Sequence, residues 1–240
     1  SALVSTLAFS VFSSYAANIN LTAADGFVLK ADYFASEKSS DRAVLMLHQC
    51  NYNRTMYDEI GAQLAEQGVH ALSLDFRGYG DSVSEKYDVE KVFALPQPQR
   101  REQWRKMAAD WPSDVKIAYD FLVTKAGDSA KIGVIGASCG GSQAIRLAEK
   151  QPVKAISFFS SGQREENIGK YKAQLSDKPT LIIAAEEDGG TYTSAQTLFT
   201  SAQHKNSRFI AYKGDGHGYP LLDLDKQLAS SIVAWFDSQL

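Results

Sequence analysis

The chain has 240 residues, 44% of them hydrophobic and 22% charged, with a net charge of −3. That length and balance suit one α/β domain with a substantial core and are short for two. They exclude an electrostatic case for nucleic acid or an anionic membrane surface, and two cysteines are too few for a disulfide framework.

Ala2 to Phe12 is apolar and free of charge, and Ser13-Ser14-Tyr15-Ala16-Ala17 follows with small residues spaced like a cleavage site between Ala16 and Ala17. The run is too short to span a bilayer, which takes about 20 residues. Residues 1–16 therefore read as the back half of a secretory signal peptide, which would place the mature protein in the periplasm or outside the cell. The alternative is an N-terminal apolar helix in a cytoplasmic protein. Such a helix needs a hydrophobic partner surface, for example a second copy in a homodimer.

Residues 17–240 form the expected domain. Residues 18–23 and 27–34 are extended runs joined by Ala24-Asp25-Gly26, a hairpin signal. Ala43 to Leu47 is a buried strand ending at His48-Gln49-Cys50-Asn51, and Arg54 to Glu66 has helical periodicity up to Gly68. Val69 to Leu74 is the next strand and runs into Asp75-Phe76-Arg77-Gly78-Tyr79-Gly80-Asp81-Ser82. Residues 83–111 interrupt the rhythm as a flap-like insertion with Pro96, Pro98, Trp104, Trp111 and a basic cluster of Arg100, Arg101, Arg105 and Lys106. The cluster is either a solvated helix face or a place where an arginine receives a substrate carboxylate. Trp104 and Arg105 are the candidate substrate contacts there, with Gln49 a third.

A helix opens at Pro112-Ser113, and residues 131–148 come next. Ile132, Val134 and Ile135 suit a strand buried on both faces, and Ala144, Ile145 and Ala148 fall at helical spacing. Between them stands Gly136-Ala137-Ser138-Cys139-Gly140-Gly141. Strand, glycine-flanked turn and helix are the context in which Gly-x-Ser-x-Gly forms a nucleophile elbow, with Ser138 Oγ projecting from the sheet. The N–H of Cys139 would then point at a developing oxyanion from a helix N-terminus. A shifted frame with Cys139 as nucleophile leaves Ser142 where the second glycine belongs, so Ser138 is preferred.

Residues 153–159 and 180–185 are further buried strands separated by a polar stretch. Residues 191–202 and 222–236 read as helices around a last strand at 209–212. This alternation predicts a mostly parallel sheet with helices on both faces and an antiparallel N-terminal edge.

A serine nucleophile needs a base and an orienting acid. Of the four histidines, His217 lies in the glycine-rich loop Gly214-Asp215-Gly216-His217-Gly218 after the last strand. Loops beyond strand carboxyl ends are where parallel sheets build their sites. His48, His70 and His204 read as structural or surface residues. The acid is sought in Glu186-Glu187-Asp188-Gly189-Gly190, where Asp188 is best placed to turn back toward His217 and Glu187 is the reserve. Asp215 is too near His217 in sequence to orient it. No Cys/His cluster has metal-ligand spacing, so no metal is expected.

The order Ser138, Asp188, His217 is that of the α/β-hydrolase fold. From about residue 18 onward the chain resembles the lidless dienelactone-hydrolase-like and small carboxylesterase branch of that superfamily. The resemblance rests on residues 136–141, 75–82, Ser113-Asp114-Val115 and 214–218. It implies an eight-stranded, mostly parallel sheet with helices on both faces, no separate lid domain, no cofactor, and a small-molecule ester as substrate. It also puts Cys50 in the position of a second oxyanion donor beside Cys139. The only two cysteines of the chain would then lie close together, and in an exported protein they could form a disulfide. Two departures stand out: dienelactone hydrolase itself carries cysteine where this chain has Ser138, and Gln49 replaces a glycine of the oxyanion loop.

The expected activity is cleavage of small to medium carboxylic esters through an acyl-enzyme on Ser138. A peptidase, thioesterase or dienelactone-type hydrolase would use the same triad, and a non-catalytic binding protein on the scaffold is the alternative of a different class.

Overall fold

The computed structural model describes residues 16–240. The apolar N-terminal segment, and with it the expected dimer contact, lies outside the described residues.

Two hairpin strands, β1 (Ala17–Thr22) and β2 (Val28–Phe34), lead into β3 (Arg42–Leu47), a 3₁₀ turn and helix α1 (Asp58–Glu66). Then come β4 (His70–Leu74), α2 (Val89–Phe93), α3 (Gln99–Ala108), α4 (Trp111–Ala126), β5 (Lys131–Ala137) and α5 (Cys139–Ala148). The chain closes with β6 (Ala155–Phe159), α6 (Glu165–Gln174), β7 (Thr180–Ala185), α7 (Gly189–Ser201), β8 (Arg208–Tyr212), α8 (Tyr219–Leu224) and α9 (Leu228–Gln239).

All eight strands join one sheet in the order β1-β2-β4-β3-β5-β6-β7-β8. β1 and β2 pair antiparallel with their neighbours and the other strands run parallel. The expected eight-stranded, mostly parallel sheet is therefore present. Strand β3 shows why both faces must be covered. Ala43, Leu45 and Leu47 enter one hydrophobic cluster and Val44 and Met46 the other, so every residue of the run is removed from water. Helices α4, α5, α6 and α7 contribute to the first cluster, and α1, α8 and α9 to the second.

Three elements differ from the sequence reading. The polar stretch after β6 holds α6, which buries only Asn167 and Tyr171 and so shows little apolar periodicity. Residues 222–236 are two helices, because Asp225 leaves the helical region and its carboxylate accepts the Gln227 N–H at 2.9 Å and the Tyr212 hydroxyl at 2.6 Å. The insertion 83–111 carries α2 and α3, helices to which the sequence reading gave no bounds: Met107 and Trp111 are buried, and the Trp104 and Trp111 rings meet edge to face at 5.3 Å.

The loop 75–82 is fastened by two buried arginines. Arg54 reaches Asp75, Asp32 at 2.8 Å and Asp81 at 2.7 Å. Arg77 forks onto Asp114 with bonds of 3.0 and 2.9 Å and also meets Asp25. Burial pushes the Asp75 and Asp114 carboxyls up, and their arginine partners oppose that shift.

Candidate active site

The turn after β5 brings the sheet's central strand to Ser138. Ser138 has φ +49° and ψ −116°, a conformation that side chains rarely adopt. The geometry is held by the Ser138 N–H bonding to the Phe159 carbonyl at 2.9 Å and by the Ser161 hydroxyl donating to the Ser138 carbonyl. The flanking glycines are required by close approach. A Cβ on Gly136 would collide with the Gly140 backbone, and one on Gly140 with the Leu47 carbonyl. This is the elbow that the sequence predicts.

Beyond β7 and β8, two backbone bonds draw the loops together: Glu186 N–H to Tyr212 O and Glu187 N–H to Gly214 O, each 2.9 Å. Asp188 then lies against His217, with Oδ2 2.6 Å from Nδ1. Glu187, the reserve, is exposed, as is Asp215. Among the described residues no hydrogen bond joins Ser138 Oγ to His217. Contacts between nucleophile and base are commonly looser before substrate enters.

The other histidines are structural. His48 is fully buried, with Nε2 accepting the Phe76 N–H at 3.0 Å and Nδ1 donating to the Gln49 carbonyl at 2.8 Å. Burial drives its pKa down to about 4. His70 Nδ1 bonds the Tyr33 hydroxyl at 2.8 Å and accepts the Ser36 N–H, and His204 Nδ1 accepts the Asn206 N–H.

Gln49 departs from its expected place among the substrate contacts. It is 1% exposed, its Oε1 accepts the Tyr219 N–H at 2.8 Å, and its Nε2 donates to Asn51 at 2.7 Å. With both ends of the amide engaged, it clamps the loop after β3 to the histidine loop. Gly218 (φ +68°) has no room for a Cβ, which would overlap Gln49 Oε1.

Cys50 and Cys139 form a disulfide, with Cα atoms 5.8 Å apart. The bridge joins the loop after β3 to the first residue of α5. Among the described residues, no acceptor takes the backbone N–H of Cys50 or of Cys139. A strained hydroxyl, an imidazole backed by a carboxylate, and two unused N–H groups at one end of the sheet are the parts that acyl transfer needs.

Two cavities flank the disulfide. One, of about 660 Å³, opens on the Cys50 side against Tyr52, Tyr79 and Phe93. The other, of about 420 Å³, borders Cys139 and Ser142 and is walled by Trp104, Arg105 and Trp111, so the two expected contacts from the insertion do meet a cavity beside the elbow. The sequence reading missed Gln143, Arg146 and Arg164 on the same wall. Nothing in their local pattern marks them, because α5, the loop after β6 and α3 meet only in three dimensions.

The model of the dienelactone hydrolase family matches residues 29–227. The chain belongs to that family. This hydrolase is 25% identical over 221 residues to an uncharacterized protein of Mycobacterium tuberculosis, spanning 83% of this chain and 72% of the relative. Among solved structures it is similar to a dienelactone hydrolase from Anabaena variabilis, with a TM-score of 0.70, 17% identity, and 95% and 100% of the two chains covered. An esterase from Pyrococcus furiosus gives 0.68 and 18%, covering 94% of this chain and 93% of its own. A cold-adapted esterase from an Arctic intertidal metagenomic library gives 0.66 and 19%, with 93% and 92% covered. The protein is thus an α/β hydrolase, with the sheet and helices that fold prescribes.

Proposed function

We propose that this hydrolase cleaves small to medium carboxylic esters through an acyl-enzyme on Ser138. The observation that carries the reading is the 2.6 Å bond between Asp188 and His217 at the same end of the sheet as the strained Ser138 turn. In this reading His217 Nε2 takes the Ser138 proton as Oγ attacks the acyl carbon. The tetrahedral oxyanion is received by the N–H groups of Cys50 and Cys139. His217 returns the proton to the departing alkoxide, and Asp188 keeps the imidazole in the productive tautomer. Water, deprotonated by the same imidazole, then releases the acid and restores Ser138. The disulfide also supports export of the protein to an oxidising compartment.

The test is hydrolysis of p-nitrophenyl acyl esters of increasing length, with wild type beside Ser138→Ala, and labelling by a fluorophosphonate. Turnover and labelling should both vanish in Ser138→Ala, by a factor of about 10⁶ in kcat. Wild type that neither turns over an ester nor takes the label would sink the proposal.

A further inference from the structure

The peptide that joins Ser138 to Cys139 has a different task at each end. Its N–H, on Cys139, meets no acceptor among the described residues and is one of the two proposed oxyanion donors. Its carbonyl, on Ser138, accepts the Ser161 hydroxyl at 2.5 Å and the Gly141 N–H at 3.1 Å. A peptide group is planar and trans, so its C=O and N–H point in opposite directions within one plane. Whatever fixes the Ser138 carbonyl therefore fixes the direction of the Cys139 N–H. A hydrogen bond accepted by the carbonyl also polarises the peptide and makes its N–H a stronger donor.

Three features of the loop after β6 converge on that bond. Ser160 has φ +45°, a costly conformation for a residue with a side chain, yet its own buried hydroxyl has no hydrogen-bond partner. The strain serves its neighbours instead: Phe159 holds the N–H of Ser138, and Ser161 holds its carbonyl. The Ser161 hydroxyl is also directed. Gln163 Nε2 donates to Ser161 Oγ at 2.6 Å, while Gln163 Oε1 is taken by Asn167 at 2.8 Å and Ser142 at 3.1 Å. A hydroxyl that accepts from an amide keeps its own proton for another partner, here Ser138. Gln163 is anchored in turn by its backbone N–H, which reaches Ser194 of α7 at 2.7 Å. Finally, a Cβ on Gly141 would collide with Ser161 Oγ, so the last glycine of the elbow motif keeps room for this hydroxyl.

We infer that Ser161, oriented by Gln163, is a positioning residue that aims and polarises the Cys139 N–H toward the oxyanion. The inference rests on the ester-hydrolase reading for the oxyanion, and on the hydrogen-bond chain alone for control of the peptide. The pair acts through the peptide, and its effect is greatest in the transition state, where charge develops on the acyl oxygen.

The test uses Ser161→Ala, which removes the hydroxyl, and Gln163→Glu, which keeps the shape but puts an acceptor where the amide donates. With p-nitrophenyl butyrate, kcat should fall about tenfold in each variant. That is less than the roughly 10²–10³ lost with a missing donor, because the N–H itself remains. KM should stay within about twofold, since the ground-state carbonyl gains less from the donor than the oxyanion does. A kcat within about twofold of wild type in Ser161→Ala, or a loss confined to KM, would overturn the inference. Labelling with carbonyl-¹³C serine and ¹⁵N cysteine singles out the Cys139 amide, because Cys50 follows Gln49 and only Cys139 follows a serine. Its ¹⁵N resonance should move in both variants as the bond to the preceding carbonyl is lost. An unmoved resonance would overturn the control of the peptide, whether or not the chain turns over an ester. If wild type hydrolyses no ester while the resonance moves, ester hydrolysis fails and the hold of Ser161 on the peptide is upheld.

Discussion

Removing the Cys50–Cys139 bridge, by Cys50→Ser with Cys139→Ser, separates what the bridge does for the chain from what it does for the site. The two residues are 89 apart in sequence, and closing a loop of that length removes unfolded-state entropy equivalent to about 4.6 kcal/mol. For a domain of this size the melting temperature should fall by roughly 10–18 °C. The catalytic effect has a different origin. Each cysteine carries one of the two unused N–H groups, so cutting the bridge frees the donor on the loop after β3 to move. Loss of one such donor costs about 10²–10³ in turnover. Gln49 still ties that loop to Tyr219 at 2.8 Å, so the loss should fall near the lower figure, about 10² in kcat. Calorimetry gives the first quantity and p-nitrophenyl butyrate turnover the second. A double variant that melts lower but keeps its kcat within twofold would refute the claim that the bridge positions the site. One that melts unchanged would refute the chain-entropy argument.

Gly218→Ala should lower kcat/KM at least about tenfold, because a Cβ at φ +68° overlaps Gln49 Oε1 and drives the clamp off the histidine loop. Full activity in that variant would show that the clamp does not position His217. Asp75→Asn should destabilise the protein by about 3 kcal/mol in urea unfolding. That is the low end for a broken buried pair, since Arg54 keeps Asp32 and Asp81; a change under about 1 kcal/mol would contradict it. His48, whose pKa is lowered from 6.5 to about 4 by burial, favours the folded state fully above pH 6.5, and this contribution is lost as pH falls toward 4. By proton NMR its ring should therefore show no titration between pH 7 and 5. A midpoint near 6.5 would refute the neutral, buried assignment.

Much of this was legible in sequence because the signals are local. The apolar run of β5, the glycines around Ser138 and the helical spacing after it are dictated by sterics within a dozen residues. Asp188 could be preferred to Glu187 because the chain must turn at Gly189, which has φ +49°. Gln49 was misplaced for the opposite reason. Its partners, Tyr219 and the space above Gly218, lie about 170 residues away, and no spacing rule reaches them. The polar helix α6 escaped notice because little of it needs to be buried, and hydrophobic periodicity registers only what is buried. Of the cavity's arginines, Arg105 was singled out, while Arg146 and Arg164 were not, since each alone looks like an ordinary charged residue and only the fold brings them to the same wall.

The loops that carry Ser138, Asp188 and His217 are rich in glycine, which leaves their backbones few conformational restraints of their own. What holds them is a set of links from loop to loop. The disulfide ties the loop after β3 to the elbow after β5, and Gln49 ties that same loop to the segment following His217. The Asp188–His217 bond and the Glu187–Gly214 backbone bond tie the loops after β7 and β8 to each other. The elbow itself is pinned to β6 through Phe159. These links run from the elbow through the loop after β3 to the histidine and the aspartate, so in the proposed mechanism the relative placement of Ser138, His217 and Asp188 depends on them. Such support is what holds a catalytic constellation to the tolerance that chemistry demands. It follows that Gln49 and the disulfide should be coupled energetically. Removing both should cost more in kcat than the product of the two single losses, because each single variant still has the other link to hold the loop after β3 in place.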